Sequence, residues 1–176
     1  PLWSRGLGDV YKRQAVYYLL SLAEASSNLA RYDGIRFGVP AQRTSAFFDD
    51  VARHRSRHLG AEVQRRLLLG TYAVSSEARR SHYTRALRLR QALREAYDAC
   101  FRDVDVLVYP TTLGVAPRLD EPAEEYASDV LAVSANLAGF PAISVPVRRR
   151  DPIGVSFAMP WGHDRALLSL LAQLRR

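Results

Sequence analysis

The sequence predicts an α/β layer fold. Three observations lead there: long segments with apolar residues spaced three and four apart, short apolar runs closed by Pro or Gly, and alternation of the two kinds in the C-terminal half. A chain of 176 residues has room for one domain with a core, and 48% hydrophobic with 24% charged residues is ordinary for a globular protein. No apolar run approaches the roughly 20 residues that span a bilayer, and the first residues lack the apolar stretch of a secretory signal. The single cysteine, Cys100, excludes an internal disulfide and fits a reducing, cytoplasmic setting.

Ala15–Ala30 is predicted helical, with Val16, Leu19, Leu20, Ala23 and Leu29 apolar and Ala25, Ser26 and Ser27 small enough for close packing. Tyr32-Asp33-Gly34 supplies a turn, because Asp33 can bond its own backbone and Gly34 tolerates positive φ. Helices are expected over Ser45–His58, with Phe47, Phe48, Val51 and His54 as its stripe, and over Ala61–Val74, with Val63, Leu67, Leu68 and Tyr72. The longest helix is expected over Ser76–Arg102, with Ala86, Leu89, Leu93, Ala96, Tyr97, Cys100 and Val104 recurring at spacings of three and four. Val104–Tyr109 is a buried strand by its β-branched content, and Leu113–Glu121 is a loop. A helix over Tyr126–Leu137 stops at Gly139. Strands Ala142–Val147 and Gly154–Ala158 and a helix over Asp164–Leu174 complete the pattern. There are no repeats, low-complexity tracts or linkers.

The net charge of +7 raises nucleic acid as a partner. Apart from Lys12, every basic residue except the histidines is arginine, and the single methionine is Met159. Residues 1–14, PLWSRGLGDVYKRQ, are read as a non-native leader. Asp9–Gln14 is what GATGTGTATAAGAGACAG encodes, a sequence resembling a transposon adapter used in making sequencing libraries. The remainder, 15–176, is then one domain segment.

Five stretches carry a resemblance: YYLLSLAEASSNLARYDGIRFG (Tyr17–Gly38), GAEVQRRLLLGTYAVS (Gly60–Ser75), DVDVLVYPTT (Asp103–Thr112), YASDVLAVSANLAGFPAISVP (Tyr126–Pro146) and PIGVSF (Pro152–Phe157). In order and spacing they resemble the amidase-signature family, and within it the glutamine-hydrolysing component of glutamyl-tRNA(Gln)/aspartyl-tRNA(Asn) amidotransferases. The resemblance implies a partial amidase-signature fold, a mixed β-sheet covered by helices, with the N-terminal half missing. It implies hydrolysis of glutamine by a serine nucleophile, with a second serine and a lysine relaying protons. The ammonia passes to a partner subunit that amidates a tRNA-bound Glu or Asp using ATP and magnesium. Subunits B and C are the implied partners, charged tRNA is held mainly by the partner, and no cofactor is expected in this chain.

A serine hydroxyl needs a base, and a lysine serves as one only when burial lowers its pKa. The family's glycine- and serine-rich signature is absent and no lysine follows Lys12, so no catalytic residue is assigned and the chain alone is expected to be inactive. Three positions match residues that hold glutamine. Arg66 matches the arginine that pairs with the α-carboxylate, Asp129 the aspartate that accepts from the α-amino group, and Tyr17 a tyrosine of the amide pocket. A cation and an anion are what a zwitterion requires, and arginine offers a carboxylate a two-pronged fork. The plain alternatives are a solvated helix face for Arg66, a first-turn acid for Asp129, and a core tyrosine for Tyr17, with Tyr18 as the true equivalent.

No metal site is assigned. His54 and His58 have ligand spacing, but the arginines of RHRSRH repel a cation. Cys100 is read as a structural thiol; Ser26, Ser27, Ser75 and Ser76 are read as packing or helix-start residues. Arg148–Arg150 and the arginines of the long helix either touch tRNA phosphates or form a solvated surface. Two other functions compete: a general amidase acting on another carboxamide, which needs neither Arg66 nor Asp129, and a basic RNA-binding module, for which no aromatic stacking motif is visible. Exposed apolar faces are expected in a chain holding only part of such a sheet.

Overall fold

A computed structural model describes residues 6–40, 44, 46–116, 118–120, 129–148 and 152–174, with backbone alone for 6–12. The expectations placed on Ser45, Tyr126, Arg149 and Arg150 lie outside these residues. The elements are α1 (Gly6–Asn28), a 3-10 turn (Leu29–Arg31), α2 (Phe47–His58), α3 (Ala61–Ala73), α4 (Ser76–Ala78), a π-helical turn (Arg79–Tyr83), α5 (Thr84–Cys100), β1 (Leu107–Pro110), α6 (Val133–Ala138), β2 (Ala142–Pro146), β3 (Gly154–Ala158) and α7 (Asp164–Leu174). Two units are distinguished: Tyr18–Leu87, and Pro1–Tyr17 together with Arg88–Arg176.

The first unit, Tyr18–Leu87, is helical, and one close helix–helix contact in it is made by a glycine. A Cβ at Gly70 of α3 would lie 2.0 Å from the Leu22 carbonyl oxygen of α1 and 2.9 Å from Ser26 Cβ. Only a hydrogen fits, so Ser26, one of the small residues foreseen in α1, serves a close helix–helix approach, while Ser27 is exposed. Gly70 and Ala73 are buried and Val63 and Leu67 half-buried, whereas Leu68 and Tyr72 are exposed. The expected stripe therefore holds for Val63 and Leu67 and fails for the other two, because the contact needs small side chains. In α2 the buried residues are Asp50 and His54, while Phe47 and Phe48 project into solvent. Asp50 accepts from the Thr44 backbone N–H, from the Thr44 hydroxyl at 2.8 Å and from Arg53 at 3.0 Å, which satisfies a buried carboxylate.

The helix foreseen over Ser76–Arg102 forms from Ser76 to Cys100, with a wide turn inside it. The N–H of Thr84 bonds the Arg79 carbonyl, five residues back, and the Thr84 hydroxyl donates to the same oxygen at 2.9 Å. This is one π-helical turn.

In the second unit the sheet order is β1-β3-β2, with both pairings antiparallel. Leu107 pairs with Ala158 and Ala142 also with Ala158, so the central strand is β3. The predicted strands β2 and β3 form almost as bounded; β1 starts at Leu107 and is an edge strand, half-buried with Val108 exposed, not the fully buried strand expected. On one face, Ala158 and Phe140 pack with Ala138, Tyr97, Phe101, Leu107 and Tyr109. Phe140 lies 4.6 Å from Tyr97 and 5.7 Å from Phe101, centroid to centroid. The opposite face turns Val145, Val155 and Phe157 toward Leu171 of α7, around a hollow of about 760 Å³.

Of the helix expected over Tyr126–Leu137, residues 126–128 lie outside the described residues; 129–132 form turns, and regular helix begins at Val133, whose N–H bonds the Asp129 carbonyl. Gly139, at φ 81°, ends it in the left-handed conformation. The Arg90 guanidinium donates to the Leu137 carbonyl at 2.9 Å, satisfying one of the last orphan acceptors.

Replacing Gly70 by Ala forces its methyl into backbone that cannot yield; we expect about 3 kcal/mol of destabilisation in urea titrations. Phe140→Ala empties the aromatic cluster and is expected to cost about 3–4 kcal/mol.

Candidate functional site

The loop after α1 is organised by one carboxylate. Asp33 Oδ1 accepts from the backbone N–H groups of Ile35 and Arg36, both at 2.9 Å, and Oδ2 accepts from Arg36 Nε at 3.0 Å. The N–H of Gly34, at φ 75°, bonds the Phe37 carbonyl. The Asx turn expected from Asp33-Gly34 is therefore present. Arg55 of α2 donates to the carbonyls of Leu29 and Tyr32, at 2.8 and 3.0 Å, and ties the loop to that helix.

Arg66 stands on α3 beside Arg65, and both bond Glu62. Glu62 accepts from Arg65 through Nε at 2.8 Å and Nη2 at 2.9 Å, and from Arg66 through Nε at 2.7 Å. All three side chains are 52–55% exposed, so the pairs are screened and add little to stability. Hydrogen bonds from Arg65 and then Arg66 hold the Glu62 carboxyl down at about 2. The bond to Glu62 raises the pKa of Arg66, and the nearby Tyr18 adds to that rise. Tyr18, weighed as an alternative to Tyr17, is thus a neighbour of Arg66 within the first unit.

Tyr17 and Asp129 belong to the second unit, and both are half-buried. Asp129 sits one turn before α6, and its carbonyl accepts the Val133 N–H. The site residues expected from the sequence therefore fall in both units.

Other chemistry-bearing groups have structural explanations. The His54 and His58 rings lie 4.7 Å apart, and among the described residues no group of three or more His, Cys, Asp or Glu is arranged to hold a metal ion. Cys100 is half-buried. A hydroxyl trio went unforeseen: Thr111 Oγ1 is 2.6 Å from Ser144 Oγ and 2.9 Å from Ser156 Oγ. Gly154 makes room for it, since a Cβ there would meet the Ser144 and Thr111 oxygens at 2.6 and 2.8 Å. The three hydroxyl residues were visible in the sequence, but the strand register that joins them was not.

Asp33, Asp50 and Glu62 all titrate below their usual values of 3.8, 3.8 and 4.5. A depressed carboxylate contributes stability above its unfolded pKa and loses it as pH falls through the folded one. We therefore expect thermal stability to be insensitive to these groups at neutral pH and to fall below about pH 4. Asp33→Asn should flatten that acid-side fall in melts recorded at a series of pH values; an unchanged slope contradicts the assignment.

A family model described as Amidase matches residues 7–168. A curated relative from Synechococcus, named as the A subunit of glutamyl-tRNA(Gln) amidotransferase, is 46% identical over 136 residues, covering 75% of this chain and 28% of its own length. A relative of the same name from Azotobacter vinelandii is 36% identical over 177 residues, covering 97% of this chain and 37% of its own. The chain thus spans about a third of the length of these relatives. A solved amidase structure superposes with a TM-score of 0.64 at 21% identity, over 92% of this chain and 33% of that one, and shares the fold. Among the described residues no helix is long and apolar enough to cross a membrane. With the match running through nearly all of its length, the chain belongs to the amidase family.

Proposed function

We propose that this chain is part of the glutamine-hydrolysing component of a cytoplasmic tRNA-dependent amidotransferase, and that it carries the residues that hold glutamine rather than those that cleave it. The observation that carries the reading is the similarity, over 75–97% of the chain, to relatives named for that component of glutamyl-tRNA(Gln) amidotransferase. In support, Arg66 falls in the stretch GAEVQRRLLLGTYAVS and keeps its terminal nitrogens clear of its bond to Glu62, which engages Nε. Arg66 would take the α-carboxylate, Asp129 the α-ammonium, and Tyr17 would line the amide pocket.

Hydrolysis needs a nucleophile and a base, and the residues after Lys12 contain no lysine to serve as one. On this reading the nucleophile, the relay serine and the lysine lie elsewhere in the parent protein, and subunits B and C with ATP and magnesium complete the transfer. A general amidase has no use for a zwitterion reader, so ligand preference separates the two enzymatic readings.

Calorimetry with L-glutamine tests the proposal. The chain should bind it in preference to a simple carboxamide such as propionamide. Arg66→Ala and Asp129→Asn should each weaken binding roughly tenfold or more, because each leaves one ligand charge unpaired. Ammonia release from glutamine by the purified chain should be undetectable. Equal binding of the two amides, or turnover, would sink the reading.

A further inference from the structure

We propose that Glu62 is a positioning residue: it holds the Arg66 guanidinium by its inner edge and so presents the outer fork to a ligand carboxylate. This deepens, and rests on, the glutamine-binding reading. Three contacts carry it. Arg66 meets Glu62 through Nε alone, at 2.7 Å, and its two terminal nitrogens stand outside that contact. Those nitrogens form the edge that receives a carboxylate through two parallel bonds. Glu62 is itself anchored, because Arg65 grips both of its oxygens, at 2.8 and 2.9 Å. Residues 62, 65 and 66 thus form a chain in which one arginine fixes the carboxylate and the carboxylate fixes the other arginine.

The spacing explains why the two arginines differ. Glu62 and Arg66 are four apart, and Glu62 and Arg65 three apart, so both pairs meet on one helix surface. A free arginine loses several rotors when it binds an anion. One tethered at Nε has surrendered part of that freedom beforehand, so less is lost on binding. A negative charge beside an anion site works against binding. Here Arg65 takes up that charge through two bonds, and the trio keeps a net positive charge, which offsets the repulsion.

The test follows the Arg66 Nε–H resonance of the 15N-labelled full chain while sodium acetate is added at constant ionic strength. In the wild type the resonance should shift saturably; Arg66→Lys removes the signal and so assigns it. Glu62→Ala should weaken acetate binding roughly three- to tenfold by restoring rotor freedom. Glu62→Gln keeps an acceptor without the charge and should recover affinity to within about twofold of wild type. A helix unrelated to the ligand would show neither the loss nor the rescue. The proposal is overturned if Arg66 does not respond in the wild type. It is also overturned if Glu62→Ala binds acetate as tightly as wild type or tighter, which marks Glu62 as a competitor, or if Glu62→Gln is as weak as Glu62→Ala. Should the acetate series come out as expected while L-glutamine binds no better than acetate, the positioning role stands and the glutamine reading fails.

Discussion

The side of α3 that carries Arg66 is set against the close approach of that helix to α1. At Gly70 the helix presents no side chain, and the Leu22 carbonyl and Ser26 occupy the space a methyl would need. That contact decides which residues of α3 turn inward: Gly70 and Ala73 are buried, Val63 and Leu67 half so. Glu62, Arg65 and Arg66 are left on the exposed side, near enough to bond one another. A steric constraint with no chemistry of its own therefore sets where the charged groups stand.

Much of the architecture was legible in the sequence. Gly139 marked the end of α6, and Gly154–Ala158 and Asp164–Leu174 form with the bounds expected, because Pro, Gly and an acidic first turn punctuate them. What periodicity could not supply was which side of α3 turns inward, because its leucines are consecutive. LLLG in α3 offers three leucines, and the choice went to the glycine, which lets two backbones meet. Phe47 and Phe48 misled in the same way: their size suggested a core, but α2 buries Asp50 and His54 instead.

The site was legible only in part. Arg66 was reached through its resemblance to family residues, whereas Glu62, its partner, was available from spacing alone, since an acid four residues before an arginine is the favoured helical pair. The proximity of Tyr18 to Arg66 depends on the rotation of α1, which two adjacent tyrosines do not disclose. The hydroxyl trio gathers Thr111, at the end of β1, with Ser144 of β2 and Ser156 of β3, and only the register of the ladder brings them together. The π-helical turn leaves no compositional mark: RRSHY contains neither Gly nor Pro.

The two outer strands of the sheet each end in a proline, and the ladder shows which way those prolines turn. Val147 N–H bonds Ile153 and Met159 N–H bonds Pro141, so odd-numbered positions of β2 address β3 while Ala142, Ser144 and Pro146 address the far side. Thr111 N–H bonds Gly154, which by the same alternation turns Val108 and Pro110 of β1 outward. Neither proline deprives the sheet of an internal bond. Each instead removes an outward donor, so that among the described strand residues the outward amides are those of Val108 on one margin and of Ala142 and Ser144 on the other, and a further strand aligned on either margin would lose a bond at the proline.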